Sequence, residues 1–256
     1  MNRTISFTKR NLLEMARDPL SYIFCIAFPI VMLAIMSVVN ASIPKQANMT
    51  IFRIDNLTGG IAIFGHTFVM LFTAINVAKD RSGSFLIRMF ASPMESRDFT
   101  NGYILPMIVV ALAQTVVSFT VSLIIAQITN YDLKVSGLLM AVIPLLPSAL
   151  MFTAIGMIAG TLFNEKAAPG ICSIFISLGS FVGGIWYDVD GVGGVMQKIS
   201  RCTPFYYAVK AVRSAIALDF SRENFFVPLI VVTGAAVLLT VTACFAFRGK
   251  MRADLA

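Results

Sequence analysis

Lys79-Asp80-Arg81-Ser82-Gly83-Ser84-Phe85-Leu86-Ile87-Arg88-Met89-Phe90-Ala91-Ser92-Pro93, continuing from Met94 to Asn101, is a polar island between two long apolar runs. Its charges surround an apolar centre of Phe85, Leu86, Ile87, Met89 and Phe90. That pattern predicts a short helix lying on a membrane surface rather than a plain turn. Outward from the island the chain turns apolar. Hydrophobic residues make up 57% and charged residues 13%, about half the charged share of a soluble domain. This excludes an ordinary soluble fold and predicts an all-α integral membrane protein.

Six segments reach the roughly 20 residues needed to cross hydrocarbon: 20–39, 57–78, 103–128, 137–163, 170–186 and 227–247. None contains Asp, Glu, Lys or Arg. They form one transmembrane domain over residues 1–256. Twelve basic residues lie in the N-terminus, the island, the turn at Lys166 and the tail; the opposite short loops hold Lys45, Arg53 and Lys134. By the positive-inside rule both termini are expected in the cytoplasm. The five basic residues of 187–226 do not weigh against this, because long loops translocate largely regardless of charge. The net charge of +7 therefore reads as anchoring to anionic lipid, with no nucleic-acid partner.

The first eighteen residues carry Arg3, Lys9, Arg10, Glu14, Arg17 and Asp18 with no apolar h-region, so insertion is expected to begin with the first span. Residues 3–17 predict an interfacial helix. Ile5, Leu12, Leu13, Met15 and Ala16 share an arc opposite Arg3, Arg10, Glu14 and Arg17, and Phe7 breaks the pattern. Asp18-Pro19 marks the bend into the first span. Pro29, Pro106, Pro144 and Pro147 fall inside spans, where kinks serve either static packing or hinge motion. Cys25, Cys172 and Cys244 lie in spans as small packing residues, and Cys202 falls in a loop where only a second subunit offers a disulfide partner.

The missing motifs are informative. There is no Gly-x-x-x-x-Gly-Lys-Ser/Thr, His-Glu-x-x-His, Cys-x-x-Cys or Gly-x-Ser-x-Gly, so neither ATP nor zinc nor serine-hydrolase chemistry has its groups here. No metal site or catalytic residue is expected. Ion-coupled carriers generally need an ionisable group inside the membrane; His66, placed near a helix end, is the one candidate, and the structural role of such a residue is the commoner one. In the fifth span Ser173, Ser177, Ser180 and Gly184 share a helix face. Gly65, Phe68, Phe72 and Asn76 form a stripe on the second span. Both read either as helix packing, as does Gly156-x-x-x-Gly160, or as walls of a translocation path. Beyond the fifth span, 204–216 predicts an amphipathic helix opened by Pro204, with Tyr206, Val209, Val212 and Ile216 on one side. It is too short and charged to span, and would dip into or lie on the outer interface as a lid.

Arg17-Asp18-Pro19 with Phe28-Pro29, the run from Asp80-Arg81-Ser82-Gly83 through Ser92-Pro93-Met94 to Gly102, and Thr203-Pro204-Phe205-Tyr206 together resemble the transmembrane subunit of a type-2 ABC exporter. That family includes daunorubicin-type drug exporters and polysaccharide exporters. The resemblance implies a permease dimer, expected as a homodimer, in a bacterial cell membrane, with two separate ATPase subunits. ATP and Mg would be held by those partners, with no cofactor on this chain. It places the interfacial helix (Arg10, Leu13, Arg17) and a coupling helix (Gly83, Phe85, Leu86, Arg88, Phe90, Pro93) at the ATPase contact. It also makes the outer helices, with Pro204 and Tyr206, a cap on the exit. A small hydrophobic or amphipathic cargo is the leading expectation. Polymer or lipid-linked glycan export, a non-transporting regulatory subunit and a His66-dependent carrier remain as alternatives.

Overall fold

The computed structural model describes residues 2–44, 49–83 and 96–254, and the side chains of 4–44, 49–83 and 97–250. Ten helices and no strand occur among the described residues: α1 (Asn2–Arg17), α2 (Pro19–Ser42), α3 (Ile54–Ser82), α4 (Ser96–Ile128), α5 (Val135–Leu162), α6 (Ala168–Val182), α7 (Val189–Val192), α8 (Gly194–Arg201), α9 (Pro204–Ile216) and α10 (Val227–Asp254). Of these, α2, α3, α4, α5 and α10 are long and apolar enough to cross a membrane.

Helix α3 is the centre of the bundle. Its most apolar stretch is 83% buried, against 17% for those of α2 and α10. Helices α2, α4, α5, α6 and α9 all pack on it. Small residues make this possible. On α5, Gly156 and Gly160 face the α3 backbone so closely that an added Cβ would overlap the carbonyl oxygens of Met70 and Ala74. The Gly-x-x-x-Gly pair therefore packs helices, which matters where lipid gives no hydrophobic drive and backbone approach supplies the dispersion energy.

The expected span 170–186 needs correcting in length. Its helix, α6, has 15 residues, about 22 Å at 1.5 Å per residue, against roughly 30 Å of hydrocarbon. It stops because Gly184 adopts φ 70°, and the Ile185 N–H returns to the Ser180 carbonyl, a glycine-based helix end. The two ends of this segment nevertheless lie beside the two ends of α3. Ser82, at the C-terminal end of α3, donates to Glu165 (2.9 Å) just before α6. After it, the carbonyls of Gly184 and Ile185 are held beside Asn56, at the N-terminal end of α3, by Arg213.

Local sequence explains the bends. Asp18 caps α2, accepting from the Leu20 N–H and the Ser21 hydroxyl, with Pro19 in the first turn where its missing donor costs nothing. Pro29 deprives the Cys25 carbonyl of its usual partner. Directly before it, Ile23–Ala27 forms a π-turn in which the Phe28 N–H reaches the Ile23 carbonyl. Pro106, Pro144 and Pro147 lie in helices that continue through them.

Gly156→Ala should lower stability by about 1–3 kcal/mol, the cost of overpacking a tight interface. Gly234→Ala, on α10 where nothing lies within 4 Å, should hold or raise it. Thermal unfolding of the two purified variants decides: equal midpoints would mean that the α3–α5 approach is slack.

Candidate functional site

The island begins inside α3, which runs past the expected boundary at 78 to Ser82. Asp80 therefore belongs to a spanning helix and is buried, 6% exposed. The expectation that spanning helices carry no acid holds for their apolar stretches only. A lone carboxylate at this depth would be costly, and it is not alone. Arg10 of α1 grips it with two bonds, Nη1 to Oδ2 at 2.6 Å and Nη2 to Oδ1 at 3.0 Å. The Tyr103 hydroxyl of α4 donates to Oδ2 at 2.7 Å. Burial works against the charge on Arg10, yet its bonds to Asp80 outweigh this and hold its pKa above the ordinary value. Glu14, one turn on, adds a contact at 2.9 Å.

Around this ion pair α1 is docked rather than merely afloat. The Asn11 amide donates to the Gly102 carbonyl at 2.9 Å, and Thr4 donates to Asp98 at 2.7 Å. The Phe7 ring meets Tyr103 edge-on at 5.0 Å and Phe99 at 5.7 Å, seated over Gly102, where a Cβ would strike it. Phe247 of α10 closes the same aromatic cluster. The amphipathic arc of α1 does not say which residues dock on the protein. The stripe turned to protein is Phe7, Asn11 and Met15, while Ile5 and Leu13 are 55% and 45% exposed. Lipid is as apolar as leucine, so Ile5 and Leu13 can stay turned away from the protein, and the protein-facing stripe is chosen by fit and hydrogen bonding. Phe7, which breaks the helical periodicity, is the anchor.

The other side of the α3 terminus is tied as well. Arg81 donates to the carbonyls of Gly160, Thr161 and Phe163, satisfying groups that the last turn of α5 leaves open. Gly83 ends α3 with its N–H on the Lys79 carbonyl. Phe85, Leu86, Arg88, Phe90 and Pro93 of the expected coupling helix lie outside the described residues. What the structure does describe is both ends that bracket them, α3 and α4, joined through α1. Leu13 and Arg17 are exposed on α1 beside this clamp, whereas Arg10 is committed to it.

At the opposite end α9 is packed into the bundle, deeper than a surface lid. Tyr206, Val209, Val212 and Ile216 are all buried, and Gly137 of α5 lies directly against the Ile216 carbonyl. Pro204 starts the helix as expected. Arg213 donates to the carbonyls of Asn56 (3.0 Å), Gly184 (2.9 Å) and Ile185 (3.1 Å), locking α9 to both α3 and α6. The Tyr206 hydroxyl donates to Asp190 at 2.9 Å, and Arg201 reaches the same carboxylate at 2.9 Å. Burial pushes the Asp190 pKa up, but bonds from Arg201, Gln197 and Tyr206 outweigh it and leave it below the usual range.

The two candidate path stripes do not meet within one chain. Phe68 and Phe72 lie at ring-centroid distances of 5.7 and 6.4 Å from Phe24 of α2. Gly65 lies against Gln114 of α4. Asn76 is half-buried, Ser173 and Ser177 are exposed on α6, and Ser180 is buried. His66 is mid-helix rather than near an end, 1% exposed, with Nε2 3.4 Å from Thr115 Oγ1 and its ring beside Phe152. Phe7, Asn11, Asp80 and Arg213 were not legible as site residues. Their roles come from long-range pairing, and only the placement of Asp80 two residues beyond an apolar run hinted at one of them.

A family model described as ABC-2 type transporter matches residues 2–217, which covers α1, the whole Asp80 clamp and α9. A protein of Bacillus subtilis (strain 168) named "Putative transport permease YvfS" is 23% identical over 173 residues, 67% of this chain and 67% of its own length.

Removing one partner of a buried ion pair strands the other, at about 3–5 kcal/mol; Arg10 is partly exposed, which places the cost near the lower figure. Asp80→Ala should therefore cost about 3 kcal/mol, while Asp80→Ala with Arg10→Ala should cost no more than the single change. Unfolding measurements on the double-mutant cycle read this coupling; strictly additive losses would show that the pair is not a unit.

Proposed function

The chain belongs to the ABC-2 type transporter family, and we propose that it is the permease half of an exporter for a small hydrophobic or amphipathic compound. The family places it as a multi-pass membrane protein that partners an ATP-binding subunit. In our reading two copies form the pathway, and two ATPase subunits hold the ATP and magnesium. Both termini face the cytoplasm of a bacterial cell, the orientation favoured by twelve basic residues on that side against three in the opposite short loops.

One observation carries the mechanism: Asp80 joins α1, α3 and α4 at the two helix ends that bracket residues 84–95. An ATPase pressing on that segment and on the exposed Leu13 and Arg17 pushes three helices at once. Because α3 is locked to α5 by glycine packing and by Arg81, the push moves the centre of the bundle rather than bending a loop. Coupling of this kind needs contacts that differ between two states. The polygonal Asp80 network is stiff enough to make the loop and the spans share one displacement. At the far end, α9 with Tyr206 and Pro204 closes the exit, and Arg213 carries α3 movement to it. The path lies along the exposed face of α6, with Ser173 and Ser177, where a second copy faces it. The complete burial of His66 between Thr115 and Phe152 favours a structural role over ion coupling.

The test is co-reconstitution with the ATPase in proteoliposomes. Arg10→Gln and Asp80→Asn should leave the complex assembled but lower transport per ATP hydrolysed by about tenfold, equivalent to about 1.4 kcal/mol of lost coupling. Phe85→Ala and Arg88→Ala should weaken ATPase binding itself. Uptake by the permease alone, driven by a proton gradient and stopped by His66→Ala, would overturn the reading.

A further inference from the structure

We propose that an acyl chain of an anionic phospholipid is seated under the interfacial helix, in a preformed cleft between α1, α2 and α4. The cleft has a volume of about 170 Å³ and is walled by Leu12, Met15, Cys25, Ile26, Val110 and Ala113. It exists because α1 is fixed at two places and not between them. Ahead of its C-terminal turn α1 is clamped to α4 by Phe7 and Asn11 and to α3 by Arg10. Its C-terminal turn is held to α2 by the Tyr22 hydroxyl, which donates to the Ala16 carbonyl at 2.7 Å. Between these ties Leu12 and Met15 line the cleft from α1, and Val110 and Ala113 line it from α4.

The chemistry of the wall selects the occupant. Ser21 supplies the polar side chain facing the cleft besides the Tyr22 phenol, and its hydroxyl is already donated to Asp18 at 2.9 Å. With both protons donated, water would find at most acceptor oxygens there, and a filled water site needs two to four partners. Val110 and Ala113 lie seven and ten residues beyond Tyr103 along α4, about 10–15 Å deeper at helical rise. That is hydrocarbon depth, where lipid tails are the surrounding solvent. Arg17, next in sequence to the cleft-lining Ala16, is exposed, as is Lys9 two turns earlier; Glu14 is paired with Arg10 and Asp18 is turned to the start of α2, which leaves cationic charge suited to an anionic headgroup in the leaflet that α1 lies in. A tail wedged there would complete the packing of α1 on α4, making lipid a structural part of the joint next to the Asp80 clamp. The inference concerns a resident lipid and stands whatever the cargo is.

The full chain in nanodiscs, with phosphatidylglycerol or phosphatidylcholine carrying a diazirine in the acyl tail, tests this by mapping photo-adducts with mass spectrometry. Adducts should concentrate on Met15, Cys25 and Val110 relative to Leu238 and Phe245, which are 67% exposed on α10 and report ordinary surrounding lipid. Phosphatidylglycerol should label the cleft about fivefold more than phosphatidylcholine, the worth of one basic residue near an anionic surface. Arg17→Gln, an exposed change that leaves the wall intact, should remove most of that preference, and Ala113→Leu should reduce cleft adducts with either lipid. Three results would overturn the proposal: cleft adducts no denser than those on α10, equal labelling by the two headgroups in the unaltered chain, or cleft labelling displaced by a transported hydrophobic compound.

Discussion

The close approach of α3 and α5 is the constraint on which the other contacts depend. A helix buried on nearly every side inside a membrane cannot be held there by hydrophobicity alone, because lipid competes equally for apolar side chains. It is held by backbone proximity, and Gly156 and Gly160 provide that by leaving room for the carbonyls of Met70 and Ala74. With that distance fixed, the remaining helices have determined places. Helix α9 fits beside Gly137, Phe24 and Phe28 of α2 pack on Phe64, Phe68 and Phe72, and Trp186 covers Phe64 where α6 ends.

Both ends of α3 carry an acid, and both acids are tied to neighbouring elements. Asp55 accepts from Arg53 and from the Tyr131 hydroxyl at the end of α4; Asp80 accepts from Arg10 and the Tyr103 hydroxyl near its start. A carboxylate at a bilayer edge is affordable where an arginine and a tyrosine satisfy it, and each such knot fixes the height of α3 against α4. The central helix is therefore pinned at two points along one neighbour and by glycine contact along another. Movement of α3 together with α4 and α5 as one body is the motion these constraints leave cheapest, since bending α3 or sliding it alone would break the knots.

Much of the bundle was legible in the chain because hydrocarbon imposes length and composition so strictly. The interfacial helix, the apolar segments, Gly156-x-x-x-Gly160 and the helix opened by Pro204 were all readable from periodicity and small-residue spacing. Three features were not. The docking face of α1 was not read, because amphipathic analysis finds the side that avoids water, and beside a membrane that side belongs partly to lipid. Asp80 was set outside its span because hydropathy stops at the first charge, although the helix continues through Ala78 to Ser82 under the protection of Arg10. The short α6 was overextended because Gly183 and Gly184 are as apolar as their neighbours, and the positive φ at Gly184 that ends the helix leaves no trace in hydropathy.

These misreadings share a cause that bears on mechanism. Each lies where a membrane element meets another element through a specific polar contact or a backbone turn rather than through apolar area. Apolar area holds the spans in the bilayer but is indifferent to sliding, because one greasy surface replaces another at little cost. Directional contacts resist sliding: two bonds between Arg10 and Asp80, one from Asn11 to Gly102, three from Arg213 across two elements. In the proposed exporter, force would reach the spans through these few contacts. A joint that transmits displacement must be made of interactions that lose energy steeply with distance, and the buried charge pair of Arg10 and Asp80 at the C-terminal end of α3 is such an interaction.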